Sequence, residues 1–234
     1  MICGLQKMTL LDYPGKVACT VFLGGCNFRC PFCHNSELFT GKPQKLMENA
    51  EFFAFLEKRK GLLDGVCVSG GEPTLYQELP DFLAKIKNLG FAVKLDTNGS
   101  RPEVLKALLD RDLVDYVAMD VKNGPDRYAQ TVGLESFRIE PVEKSLRMLI
   151  GGDTPYELRT TLVSQLHDAA AIQDMGYWLG GLVPGKQAEN LFLQSFVDRD
   201  TVLFAGLSAP EPETVAEFAK ILAPFVGRVT IRNS

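Results

Sequence analysis

Short apolar runs alternate along the chain with amphipathic stretches, and this alternation carries most of the structural information in the sequence. The runs Val17–Leu23, Gly65–Ser69, Ala92–Thr97, Tyr116–Val121, Glu157–Val163 and Tyr177–Val183 are expected as strands. Between them, Asn49–Lys60, Leu79–Leu89, Pro102–Asp110, Pro141–Leu149 and Ala169–Met175 are predicted helices. Pro212–Phe225, opened by Pro-Glu, is a last predicted helix, and Val229–Arg232 a final short strand. Thr201–Ala205 reads equally as strand or loop. Strands alternating with helices argue for parallel βα units and an α/β fold. Six such units are too few for a standard eightfold barrel, and a doubly wound sheet is the competing architecture. No Gly-x-Gly-x-x-Gly follows the first strand, so nothing marks a dinucleotide site. No repeat, low-complexity stretch or linker interrupts residues 1–234, and a single domain is expected.

The segments after the strands are distinctive. The first strand opens through Gly24-Gly25 into Cys26-Asn-Phe-Arg-Cys30-Pro-Phe-Cys33, the second into Ser69-Gly-Gly-Glu-Pro73, the third into Asp96-Thr-Asn-Gly99 and the fourth into Asp120-Val-Lys122. Polar groups at the carboxyl ends of parallel strands are where barrel-type active sites form. Three cysteines within eight residues suit a soft metal centre, and a set of three keeps one coordination position open. Neither the four-cysteine run of two-cluster ferredoxins nor the paired knuckles of structural zinc sites is present. The remaining cysteines read otherwise: Cys19 and Cys67 lie in apolar runs and are expected as buried thiols, and Cys3 is near the terminus.

Composition narrows the function classes. A net charge of −4 gives no footprint for sequence-independent nucleic-acid binding. No apolar run approaches the roughly 20 residues that span a bilayer. The start, Met1-Ile-Cys-Gly-Leu-Gln-Lys7, lacks the order of a signal peptide, so a cytoplasmic protein is expected. Neither Gly15-Lys16 nor Gly185-Lys186 has the surroundings of a phosphate-binding P-loop.

Cys-x3-Cys-x2-Cys with an aromatic before the last cysteine, followed after the next strand by Gly-Gly-Glu-Pro, resembles the radical S-adenosylmethionine superfamily. The resemblance implies a partial (βα)6 TIM-like barrel in which Cys26, Cys30 and Cys33 hold three irons of a [4Fe-4S] cluster. The fourth iron would take the amino and carboxylate groups of S-adenosylmethionine, whose sulfonium C–S bond is then cleaved by an electron from the cluster. Gly70 and Gly71 would let the backbone approach the ligand, and Glu72 would accept from the methionine ammonium. Asp96-Thr97-Asn98-Gly99 and Asp120-Val121-Lys122 resemble motifs of the branch that activates glycyl radical enzymes. There Lys122 would answer the methionine carboxylate, while Asp96, Thr97 and Asp120 can enclose a monovalent cation. The bland alternative for both aspartates is capping of the following helix. Strand alternation groups Glu157, Arg159 and Thr161 on one face, where Arg159 serves the cofactor or substrate site or forms a structural ion pair. His34 is expected to hydrogen-bond near the cluster, His167 to be an ordinary surface residue, and Trp178 to sit in the core.

Leu5–Lys16, with its Pro14-Gly15 turn, resembles together with Cys33-His34-Asn35 the small activating proteins of anaerobic ribonucleoside-triphosphate reductases; Tyr13 departs from the Asp-Gly-Pro-Gly of related enzymes. The resemblance implies an activase that removes a hydrogen atom from a glycine of a partner enzyme. That partner would be an anaerobic ribonucleotide reductase, with flavodoxin or ferredoxin as electron donor, and the Asp12–Lys16 turn would guide the incoming loop. The alternatives are a pyruvate formate-lyase activating enzyme, a small-molecule enzyme such as 7-carboxy-7-deazaguanine synthase, and a non-catalytic zinc or iron–sulfur module. No cysteine lies between Cys33 and Cys67, so one cluster is all the chain can hold. Val183–Lys186 and Phe192–Gln194 carry no assigned contact.

Overall fold

The computed structural model describes residues 1–40 and 44–232. They divide into two compact units, each assembled from separate segments: Met1–Asn27, Asn35–Thr97 and Arg101–Ala118 in the first, and Phe28–His34, Asn98–Ser100 and the chain from Met119 onward in the second.

The first unit carries β1 (Ile2–Thr9), β2 (Ala18–Leu23), α1 (Asn49–Glu57), β3 (Gly65–Gly70), α2 (Leu79–Asn88), β4 (Ala92–Thr97) and α3 (Pro102–Leu109). β1 runs antiparallel to β2, and β2, β3 and β4 are parallel neighbours in that order. Parallel strands covered by helices are buried on both faces, which explains why β2 and β3 are almost wholly apolar. Their register pairs Thr20 with Cys67 and Cys67 with Lys94, so these three side chains form one row across the sheet. Phe52 of α1 stacks on Phe82 of α2, with ring centroids 5.4 Å apart. Cys19 and Cys67 are fully buried, as the apolar runs around them led one to expect. Burial pushes the Cys19 thiol up to about 12.

The strand β5 (Tyr116–Asp120) begins in the first unit and ends in the second. The second unit continues with α4 (Pro125–Thr131), α5 (Glu140–Gly151), β6 (Tyr156–Leu162), α6 (Ala169–Gly181), β7 (Ala188–Ser195), α7 (Pro212–Leu222) and β8 (Val226–Arg232). β6, β7 and β8 are parallel neighbours. Among the described residues six strand–helix units follow one another from β2 to α7, the number anticipated.

One of their strands is elsewhere than expected. Tyr177–Val183 is not a strand: α6 extends through Tyr177 to Gly181. A Cβ on Gly176 would lie 2.5 Å from the Phe225 ring and one on Gly180 3.2 Å from it, so two glycines one turn apart open a groove for that ring. The strand is Ala188–Ser195 instead, whose polar ends hid its apolar centre. Thr201–Ala205 is irregular. Among the described residues no helix is long and apolar enough to cross a membrane.

Candidate active site

In the first unit, the carboxyl end of β3 is locked to the start of the cysteine loop. Gly71 N–H donates to Leu23 O at 3.0 Å and Glu72 N–H to Gly25 O at 2.8 Å. Gly70 has φ +130°, and a Cβ there would fall 2.2 Å from Leu23 O; on Gly71 it would fall 2.0 Å from Gly25 O and 3.2 Å from Cys26 Cβ. Both glycines are therefore required by the close passage of the cysteine loop, a more specific reason than room for a ligand. Asn35 Nδ2 donates to Gly70 O at 3.2 Å and ties the far side of the loop to the same turn. Cys26, Gly70, Gly71 and Glu72 are in this way brought together.

Glu72 is buried, and its Oε1 accepts from Thr74 N–H at 3.0 Å, Thr74 Oγ1 at 2.5 Å and Thr97 Oγ1 at 2.8 Å. The carboxylate caps the short helical turn Pro73–Leu75 and holds Thr97 of the next strand end. Asp96 Oδ1 lies 2.5 Å from Lys94 Nζ, and its Oδ2 accepts from Ser69 Oγ at 3.0 Å. Lys94 is a charged group without a sequence signal, one lysine inside an apolar strand. The resemblance allowed a monovalent cation beside Asp96, but the position on Oδ1 is held by this ammonium, and the residues do not fit a metal cation there.

In the second unit, Cys33 N–H donates to Cys30 O at 3.1 Å, a tight turn that brings these two cysteines onto one bend. The loop is anchored by Arg29 N–H to Val132 O at 2.8 Å, beside Gly133, where a Cβ would meet Arg29 O at 2.3 Å. His34 Nε2 contacts Val197 O at 2.7 Å and its ring stacks on Phe196 at 5.6 Å, so it holds the loop down. Burial lowers its pKa. All six cysteines are thiols rather than disulfides. Among the described residues no group of three or more His, Cys, Asp and Glu side chains is placed to hold a metal ion.

Asp120 bridges two cations, Lys122 Nζ at 2.8 Å and Arg159 Nε at 3.0 Å. Arg159 is therefore in an ion pair, and Glu157 on the same strand face is paired with Arg232 at 2.7 Å. Burial by itself would lower the Lys122 pKa, but the charges of Asp120 and Cys30 outweigh it and raise the ammonium above its usual range. Lys122 Nζ also stands 5.9 Å over the Phe32 ring, so Cys30, Phe32 and Lys122 are brought together. Asn98 Oδ1 accepts from Ser100 N–H at 2.9 Å and shapes its own turn, while Gly99 O accepts from Ser145 Oγ at 2.7 Å.

His167 corrects an expectation. It is 3 % exposed rather than a surface residue, because the turn after β6 folds it under the chain. Its Nδ1 lies 3.1 Å from Val163 N and 3.2 Å from Val163 O, and its Nε2 contacts Lys122 O at 2.9 Å. Burial lowers its pKa. The neighbouring Asn123, fully buried, donates to Thr131 Oγ1 at 2.9 Å and Leu166 O at 3.0 Å. Neither had a sequence signal, since each acts on the backbone of a residue distant in sequence. Trp178 is half-buried, with Nε1 donating to Glu143 at 2.7 Å, so it is only partly a core residue.

The family model of the radical SAM superfamily matches residues 20–163, from the strand before the cysteine loop to the end of β6. The chain belongs to the radical SAM superfamily. Over its whole length it is 32 % identical to a Methanocaldococcus jannaschii protein provisionally named a glycyl-radical enzyme activating enzyme, covering 96 % of that protein. A pyruvate formate-lyase-activating enzyme of Listeria monocytogenes is 27 % identical, covering 93 % of this chain and 94 % of that one. The crystal structure of a domain of a pyruvate-formate lyase-activating enzyme from Bacteroides vulgatus has the same fold, with a TM-score of 0.57 over 72 % of this chain and 98 % of that domain, at 23 % identity. The protein is thus an enzyme of the radical SAM class, and membership implies a [4Fe-4S] cluster and S-adenosylmethionine. The cluster's chemistry is the one-electron cleavage of the sulfonium. Cys26, Cys30 and Cys33 are the residues that would hold the cluster, three soft sulfur donors within eight residues of one loop.

Proposed function

We propose that this chain is the activating enzyme of a glycyl radical enzyme, most specifically of an anaerobic ribonucleoside-triphosphate reductase, built as one radical SAM domain. The observation that carries the reading is the three-cysteine loop in a chain similar along its whole length to a protein provisionally named a glycyl-radical enzyme activating enzyme. Cys26, Cys30 and Cys33 hold the cluster. In the first unit Glu72, with Gly70 and Gly71 shaping its turn, receives the methionine ammonium, and Asp96 and Thr97 support that end. In the second unit Lys122 and Arg159, both held by Asp120, are the cations suited to receive the methionine carboxylate. Asn98 shapes the loop between. No metal cation enters the proposal, since Asp96 already holds Lys94. The ribonucleotide reductase as partner is supported by Leu5–Lys16 and Cys33-His34-Asn35, and by the room for a single cluster. The protein works in the cytoplasm with a flavodoxin or ferredoxin as donor.

Within the Leu5–Lys16 stretch the residues divide. Asp12 accepts from Thr20 Oγ1 at 2.5 Å and Tyr13 is buried against Gly65, so these two build the turn. A second reading, activation of pyruvate formate-lyase, is favoured by the full-length similarity to the Listeria enzyme. The test is to mix the reduced, cluster-loaded protein anaerobically with each candidate enzyme and S-adenosylmethionine, and to record the glycyl radical by electron paramagnetic resonance. A radical on the reductase alone supports the proposal, and one on pyruvate formate-lyase alone supports the second reading. No radical on either, with turnover of a pterin-like small molecule, rejects both.

A further inference from the structure

We propose that Lys94 is a built-in replacement for a metal cation at Asp96, so that this chain binds its cofactor without any requirement for potassium or sodium. The inference rests on the assignment of Asp96 to the S-adenosylmethionine site made above.

β3 and β4 are parallel with Cys67 opposite Lys94, and alternation puts Ser69 and Asp96 one step further along on the same face. The lysine cannot reach water: it is 1 % exposed, among the largest fully buried side chains of the protein. An ammonium in such a place survives only if a carboxylate meets it directly. Asp96 does so, with Oδ1 at 2.5 Å from Nζ, while Cys67 Sγ lies 3.9 Å away on the other side. The second Asp96 oxygen takes the Ser69 hydroxyl at 3.0 Å. The unit charge that a monovalent ion would bring to this carboxylate is already supplied, and an added ion on Oδ1 would face a like charge at contact distance.

A tethered ammonium differs from a bound ion in one measurable way. It is present at every salt composition, whereas a metal ion is lost when its concentration falls. Lys94 therefore acts as a positioning residue: it fixes the Asp96 carboxylate and sets its charge without touching the cofactor.

The test measures S-adenosylmethionine affinity of the cluster-loaded protein in buffers where choline replaces potassium and sodium at equal ionic strength, together with thermal melting in the same buffers. For the wild type, affinity should stay within about twofold and the melting temperature should not move. Lys94→Met should melt lower, bind about tenfold or more weakly in choline, and recover part of both losses in potassium or sodium. Lys94→Arg should keep the wild-type indifference, and Lys94→Met with Asp96→Asn should melt above Lys94→Met alone. A wild-type affinity or melting temperature that depends on potassium or sodium, by fivefold or more in affinity, overturns the proposal without any variant having to fold. So does a Lys94→Met protein whose melting is indifferent to the cation. If melting behaves as expected while affinity never changes, the replacement stands and Asp96 leaves the cofactor site.

Discussion

Glu72 and Asp96 in the first unit and Asp120 in the second all stand at or just past the carboxyl ends of strands, yet they are treated differently. Glu72 receives three hydrogen bonds on one oxygen and Asp96 a buried ammonium and a hydroxyl, all from within the unit. Asp120 faces two cations, and the side chains of Lys122 and Arg159 keep 15 % and 17 % of their exposure. The first cluster is therefore part of the core as much as of the site, and changing it should disturb folding. The second joins two partly exposed cations through one carboxylate, and changing it should disturb binding while sparing the fold. A residue's place in a motif does not distinguish these cases; what surrounds it does.

The largest effect is expected at the cysteine loop, which has segments in both units. Cys26→Ala, Cys30→Ala and Cys33→Ala should each abolish 5′-deoxyadenosine formation, measured anaerobically with iron and sulfide analysis alongside. Cys67→Ser, in the first unit's core, should keep the cluster; losing it there while Cys30→Ala retained it would reverse the ligand assignment.

The contrast itself is tested next. Lys122→Met should weaken S-adenosylmethionine binding about tenfold to a hundredfold, the worth of a hydrogen bond to a charged group, with little change in melting temperature. Glu72→Gln should weaken binding and also destabilise the fold by about 1–3 kcal/mol, because Thr74 and Thr97 lose a charged acceptor inside the protein. Equal melting losses for the two variants would erase the distinction between the regions.

A smaller effect should follow from His167, which acts through the backbone of Lys122. His167→Gln should raise the Kd for S-adenosylmethionine severalfold while leaving the cluster spectrum intact. Unchanged affinity, with only a lower melting temperature, would make the histidine purely structural.

The mildest prediction concerns pH. Both histidines, His34 and His167, lie in the second unit, and burial lowers the pKa of each below 6.5. A depressed folded pKa means the unfolded chain binds the extra proton first, so their contribution is intact above about 6.5 and fades as pH falls through the folded values. Hydrogen exchange at pH 5.5 against pH 7.5 should therefore lose protection in the second unit before the first, and His167→Gln should flatten the difference. Earlier loss in the first unit would point to its carboxylates instead.

Much of this protein was legible from local pattern. Apolar runs between amphipathic stretches determined the number of strand–helix units, because burial of a parallel strand on both faces demands uninterrupted hydrophobic sequence. The cysteine loop, Gly70-Gly71-Glu72, Asp96-Thr97-Asn98 and Asp120-Val121-Lys122 were visible because each is contiguous and follows a strand. The misreadings share one cause. Tyr177–Val183 has strand-like residues, but Gly176 and Gly180 are explained only by the ring of Phe225, which arrives from after α7. Lys94 is paired by the register of two strands, and His167 by a carbonyl 45 residues away. The sequence by itself determined which elements form and which short motifs end them, since those depend on neighbours along the chain. Only the tertiary structure decided which charges are paired, how deeply each pair is buried and which histidine is enclosed, since burial and pairing belong to residues that meet only when the strands align.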